Sequence, residues 1–212
     1  MKRALILLAT LGAPVVVFGA LAEEVAEGSS VSWDGATYRA IERSAQTVGT
    51  PLGAHAVLTV AALGGVAALV AGAVHLLRRR RIRELAFLAL AIGGMVALDP
   101  ILKSIFQRPP VSRDGSGYSF PSGTAMVSLA VAGAAVVLVK PRLLRWGAVI
   151  SGGLMCLGLG VSVVYLRWHH ASDVVAGWCM ALAWLSALWL ALLLPAYASR
   201  RGRRSPRMRR CP

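Results

Sequence analysis

Long apolar stretches separated by short polar or basic segments fill most of the chain. A helix needs about 20 apolar residues to cross a hydrocarbon layer, and six stretches qualify, at roughly 4–22, 54–77, 85–102, 122–139, 146–166 and 173–197. The pattern predicts an all-α, six-transmembrane-helix bundle. Between the first two runs lies an acidic, polar segment from Glu23 to Pro51 carrying Trp33, Tyr38 and Ile41, which reads as an amphipathic or irregular stretch on the membrane surface. There is no internal repeat. The chain divides into a first helix with its outer segment (1–53), a helical core (54–197) and an arginine-rich tail (198–212).

Composition agrees with the pattern, since 57% hydrophobic and 15% charged residues is too apolar a balance for an ordinary soluble domain. A net charge of +14 would suggest nucleic acid if it were spread over a soluble surface. Its distribution removes that reading. Lys2 and Arg3 precede the first run, five arginines from Arg78 to Arg83 follow the second, Lys140, Arg142 and Arg145 follow the fourth, and seven arginines from Arg200 to Arg210 follow the sixth. Thus 17 of the 23 basic residues fall on one side, which the positive-inside rule makes cytoplasmic, together with both termini. The excess charge is a topology signal, and the implied partner is the lipid bilayer, with the tail contacting anionic lipid. Residues 1–22 have a second reading as a signal peptide, with Ala20-Leu21-Ala22 as its cleavage site. Either way residue 23 emerges outside. Cys156 and Cys179 lie inside apolar runs and Cys211 in the tail, so neither a disulfide framework nor metal-ligand spacing is present.

Three polar segments interrupt the runs, and all three fall on the outer side. Lys103, Arg108 and Arg113 follow the third run, Phe120-Pro121-Ser122-Gly123-Thr124 opens the fourth, and Ser162 to Asp173 joins the fifth to the sixth. In the last, His169 precedes Asp173 by four residues. An imidazole attacks phosphorus well only when its second nitrogen is held by an acceptor, and an acidic residue nearby supplies one. Each residue also has a plainer use: Ser122 and Asp173 as helix caps, His169 as an interfacial polar group, the arginines as cations reaching the headgroups.

In this order and spacing the segments resemble the signature motifs of the type 2 phosphatidic acid phosphatase superfamily, membrane lipid phosphatases related to vanadium haloperoxidases. The first family motif, K-x6-R-P, is matched by Lys103, while its arginine position falls on Pro110 and Arg108 stands two residues early. The second, P-S-G-H, is matched by Pro121, Ser122 and Gly123 but ends in Thr124. In the third, S-R-x5-H-x3-D, Ser162, His169 and Asp173 are in register and Val163 replaces the arginine. His170 is out of register.

The resemblance implies that His169 is the nucleophile, Asp173 its orienting acid, and Lys103, Arg108, Ser122 and Gly123 a cradle for the substrate phosphate. Arg113, Arg167 and Thr124 are accessory candidates. It also implies a phosphohistidine intermediate and no metal or other cofactor. Thr124 stands where the family's leaving-group acid would be, and general-acid catalysis is worth about 10²–10⁴-fold. An alcohol leaving group needs that proton, whereas phosphate, with a second pKa near 6, hardly does. The expected substrate is therefore a lipid diphosphate, such as a polyprenyl diphosphate, at the outer face of a bacterial-type plasma membrane. The alternative is a catalytically silent member that binds a lipid phosphate or a membrane protein. A plain structural bundle, or a transporter built on Asp99 and His75, has less in the sequence to support it.

Overall fold

The structure is a computed structural model that describes residues 8–28, 31–48, 51–112 and 117–193. Arg113 and the 198–212 tail lie outside the described residues. Among those described, every regular element is helical: α1 (Ala13–Ala26), α2 (Asp34–Val48), α3 (Pro51–Arg78), α4 (Ile82–Phe106), α5 (Gly123–Leu138), α6 (Arg142–Tyr165) and α7 (Ala171–Leu188), with π-helical turns at Leu8–Gly12 and Trp189–Leu193.

Among the described residues four helical stretches are long and apolar enough to cross a membrane: Gly53–Arg78, Ile82–Phe106, Arg142–Tyr165 and Ala171–Leu192. The fourth expected run forms a shorter helix of 16 residues, α5. Ser122 caps its start, while Pro141 biases Lys140 away from helical geometry and ends it. α1 continues past the expected end of the first run, through Glu23 and Glu24 to Ala26. The segment after it forms a second helix, α2, whose Tyr38 and Ile41 pack against Ala125, Val163, Val164, Ala171 and Val174.

α5 is the central post of the bundle. Its buried positions are nearly all small, namely Ala125, Ser128, Ala130, Ala132 and Ala134, with Met126 as the exception. Small side chains let neighbouring backbones approach closely, which is how helices associate where lipid removes the hydrophobic drive. α3 is the opposite case. Val60, Leu63, Val66 and Val70 are exposed along it, an apolar face suited to lipid rather than to water. α1 completes the core from the other side, where Leu21, Ala22, Val25 and Val31 surround Phe120 and Ala176.

The α5–α7 contact depends on Gly177. A Cβ there would lie 2.7 Å from the Ser122 carbonyl oxygen and 3.0 Å from the Ala125 Cβ. Both neighbours belong to a helix start that is fixed by its cap, so neither can yield cheaply. Gly177→Ala is expected to cost about 1–3 kcal/mol, as overpacking does, and to lower the detergent melting temperature by a few degrees. An unchanged melting temperature would show that the two helices can separate without cost.

The chain direction places the C-terminal ends of α4 and α6 and the N-terminal ends of α5 and α7 together. The arginine-rich turn between α3 and α4 and the Lys140 turn between α5 and α6 lie at the other end.

Candidate active site

At the first of these ends α6 must stop and turn back within a few residues. Arg167 takes the left-handed conformation, with φ of 59°, and the amides of Leu166, Arg167, Trp168 and His169 return to carbonyls of Ser162, Val164 and Val163. The helix end is thereby satisfied. The turn delivers Trp168 outward, 46% exposed, and His169 inward.

His169 Nδ1 lies 2.8 Å from the Ser119 carbonyl oxygen. A carbonyl only accepts, so Nδ1 carries a hydrogen, and in the neutral ring the lone pair is on Nε2. The sequence pointed to Asp173 as the group orienting His169. In the structure the nearest acceptor is Ser119, with Asp173 Oδ2 farther away at 3.8 Å and accepting the His170 backbone N–H at 2.8 Å. Asp173 is fully buried in the first turn of α7, where a carboxylate suits the free amides and the helix dipole. Its carbonyl also accepts the Ser122 N–H at 3.0 Å, joining the starts of α5 and α7.

Arg108, expected in the phosphate cradle, is turned inward and only 8% exposed. Its Nη1 donates to Asp173 Oδ1 at 2.5 Å and to Ser172 Oγ at 2.7 Å, and its Nη2 donates to Asp34 Oδ2 at 2.9 Å. Asp34, the first residue of α2, also accepts the Ser172 N–H at 2.8 Å and the Ser172 hydroxyl at 2.6 Å. This is a buried network of two carboxylates about one guanidinium. Removing one partner of such a network leaves a buried charge unpaired, which is worth about 3–5 kcal/mol. His170 borders it, with Nδ1 3.8 Å from Asp34 Oδ2. Burial first, and then the nearby Arg108 guanidinium, push the His170 pKa below the ordinary imidazole value, so His170 is uncharged at neutral pH.

Lys103 pairs with Asp99 one turn earlier in α4, Nζ to Oδ2 at 3.1 Å. That carboxylate abuts the start of α5: a Cβ on Gly123 would lie 2.5 Å from Asp99 Oδ1. Gly123 therefore does allow an anion to approach the head of α5, and the anion found there is the protein's own. Asp99 Oδ1 is buried without a hydrogen-bond partner. Ser122 acts as the α5 cap, its Oγ accepting the Ala125 N–H at 3.4 Å.

The remaining candidates fall around this centre. Ser162 donates to its own helix at Gly158 and Val163 is wholly buried in apolar contact. Arg167 is held by α2, with Nε 2.6 Å from Tyr38 Oη and its guanidinium carbon 4.4 Å from the Tyr38 ring centre. Thr124 faces a cavity of about 610 Å³ between α3, α5 and α6, walled by apolar residues such as Leu58, Val127 and Leu159, with His55 and Trp168 also lining it.

Asp34, Ser119 and Ser172 were not among the sequence candidates, and Asp99 was read only as a transporter residue. Ser172 beside Asp173 was the one with a local signal. Asp34 and Ser119 act over separations of 138 and 50 residues, which no spacing rule connects.

Residues 84–194 match the PAP2 superfamily. Among solved structures, the crystal structure of the first transmembrane PAP2 type phosphatidylglycerolphosphate phosphatase from Bacillus subtilis is similar, with a TM-score of 0.65 and 21% identity over 92% of this chain and 98% of that one. The likeness is one of fold. No curated protein matches the sequence significantly.

Proposed function

The chain belongs to the PAP2 superfamily, and from that membership we propose that it is a membrane lipid phosphatase, preferring a lipid or polyprenyl diphosphate, with His169 as its nucleophile. The observation that carries this reading is the 2.8 Å contact from His169 Nδ1 to the Ser119 carbonyl, which puts a ring hydrogen on Nδ1, so that Nε2 is the attacking nitrogen of the neutral imidazole. Nε2 bonds to phosphorus as the bond from phosphorus to the leaving oxygen breaks. The imidazole becomes a cationic phosphohistidine, its hydrogen staying on Nδ1 and donated to the Ser119 carbonyl. Asp173, at 3.8 Å, lies close enough to favour that cation. Water then adds to phosphorus, the bond to Nε2 breaks, and inorganic phosphate leaves.

Lys103 and the Gly123 backbone N–H, at the head of α5 that Ser122 caps, are the groups proposed to receive the phosphoryl oxygens, the lysine exchanging Asp99 for substrate. Arg167, 53% exposed at its side chain and two residues before the nucleophile, is a further cation that can join them by exchanging its contacts with Tyr38 for substrate. Arg108 acts from behind, balancing Asp173. The lipid chain is proposed to lie along the apolar cavity beside Thr124. The arginine distribution supports an outward-facing site in a six-span topology with both termini inside, in a bacterial-type plasma membrane.

Phosphate release by purified protein in detergent tests the function, with a polyprenyl diphosphate and the matching monophosphate compared side by side. Faster release from the diphosphate is expected. Sealed vesicles of both orientations, given substrate from outside, test the facing of the site. Release from neither lipid would reject the enzyme reading.

A second reading has its own observation. Three carboxylates, Asp34, Asp99 and Asp173, stand against the two cations Lys103 and Arg108, so the resting site offers little charge to a phosphate. A silent member that binds lipid phosphate or a membrane partner would fit that balance. It predicts binding without release, unaffected by His169→Gln.

A further inference from the structure

We propose that Asp34 is a positioning residue for His169, and that α2, which lies outside the family-matched residues 84–194, is thereby a working part of the site. The proposal rests on the reading of His169 as nucleophile only for its kinetic consequence. Its structural content stands on the hydrogen bonds alone.

Two routes run from the Asp34 carboxylate to the imidazole. On the first, Asp34 Oδ2 holds the Arg108 guanidinium at 2.9 Å, and the Arg108 backbone carbonyl accepts the Ser119 N–H at 2.9 Å. Ser119 in turn offers its own carbonyl to His169 Nδ1 at 2.8 Å and anchors its hydroxyl on the Pro109 carbonyl at 3.1 Å. On the second, Asp34 Oδ1 accepts the Ser172 amide at 2.8 Å, an orphan N–H in the first turn of α7 three residues beyond His169. Both sides of the turn that carries the imidazole are thus tied to one carboxylate. That carboxylate is 7% exposed and fills its acceptor sites with charged and polar donors, so its position is set tightly.

The link works through charge as well as shape. Arg108 faces carboxylates on both of its terminal nitrogens, Asp34 on one and Asp173 on the other. With Asp34 neutral, the guanidinium is drawn toward Asp173 alone. The Ser119 carbonyl then moves with the Arg108 backbone, and Asp173, at 3.8 Å, becomes the competing acceptor for the imidazole hydrogen. The consequence is a mixture of His169 orientations and tautomers in which Nε2 is no longer reliably the free nitrogen. Asn at position 34 keeps the volume and one acceptor for Ser172, but turns an N–H₂ group toward the Arg108 donors.

The test uses the full-length protein in detergent, labelled with ¹⁵N-histidine, with the His169 signals identified by their loss in His169→Gln. In the parent, His169 is expected to be wholly the Nδ1–H tautomer. Asp34→Asn should give a mixed or exchanging ring, with kcat for lipid diphosphate at least tenfold lower and KM changed less than threefold. Arg108→Lys keeps the charge but loses the planar fork whose two nitrogens reach Asp173 and Asp34 separately, and it should produce the same tautomer signature if Asp34→Asn fails to fold. A pure Nδ1–H tautomer in the folded variant overturns the proposal, whatever happens to turnover. If the parent releases no phosphate, the phosphatase reading falls, and the tautomer readout still decides the role of Asp34.

Discussion

Replacing His169 by glutamine is expected to reduce phosphate release from a lipid diphosphate on the order of 10³-fold or more, the scale seen when a covalent nucleophile is removed. Glutamine keeps a polar group able to meet the Ser119 carbonyl, so the fold and the start of α7 should survive and the melting temperature should stay close to the parent's. What it lacks is a lone pair of imidazole basicity at the Nε2 position. The matching measurement is a brief incubation with substrate labelled in its terminal phosphate, followed by alkaline denaturation. The parent should retain acid-labile label on the protein, and the variant none. A variant that keeps most of its turnover would reject a phosphohistidine at this position and return attention to direct attack by water.

The second large effect is a gain. Thr124→His should raise turnover of a lipid monophosphate by up to about 10²–10⁴-fold, the worth of a general acid, while the matching diphosphate gains little. The argument is one of leaving groups. An alcohol departing without a proton is a strong base, whereas phosphate, with a second pKa near 6, departs as a stable anion. The structure gives the new side chain somewhere to go, since Thr124 lines the cavity of about 610 Å³ shared with His55 and Trp168. The ratio of the two gains is the diagnostic, because a general improvement in folding or lipid access would lift both substrates alike. Equal gains would reject the leaving-group argument. The rise should fall short of its full range if Val163 and Pro110, standing where the family has arginines, leave the transition-state charge poorly held.

The sequence by itself determined the long helices of the core and the end of the bundle where the candidate residues gather. Runs predicted at 54–77, 85–102 and 146–166 appear as Pro51–Arg78, Ile82–Phe106 and Arg142–Tyr165, because apolar length and helix stops are properties of neighbouring residues. The spacing of His169 and Asp173, and the Pro121-Ser122-Gly123 start of α5, were legible for the same reason. Which groups touch was decided only by the tertiary structure. Sequence spacing offered Asp173 to His169, but the chain turn after α6 carries His169 to Ser119, 50 residues earlier. Arg108 was read as a phosphate ligand from the family resemblance, standing two residues before the motif's arginine position. Packing instead buries it between Asp34 and Asp173, 74 and 65 residues away, where a charge must find counter-charges to be buried at all. Asp34 itself carried no signal beyond that of a residue opening an amphipathic helix. A buried ion pair is chosen by the fold that brings its members together, and no periodicity in the chain records that choice.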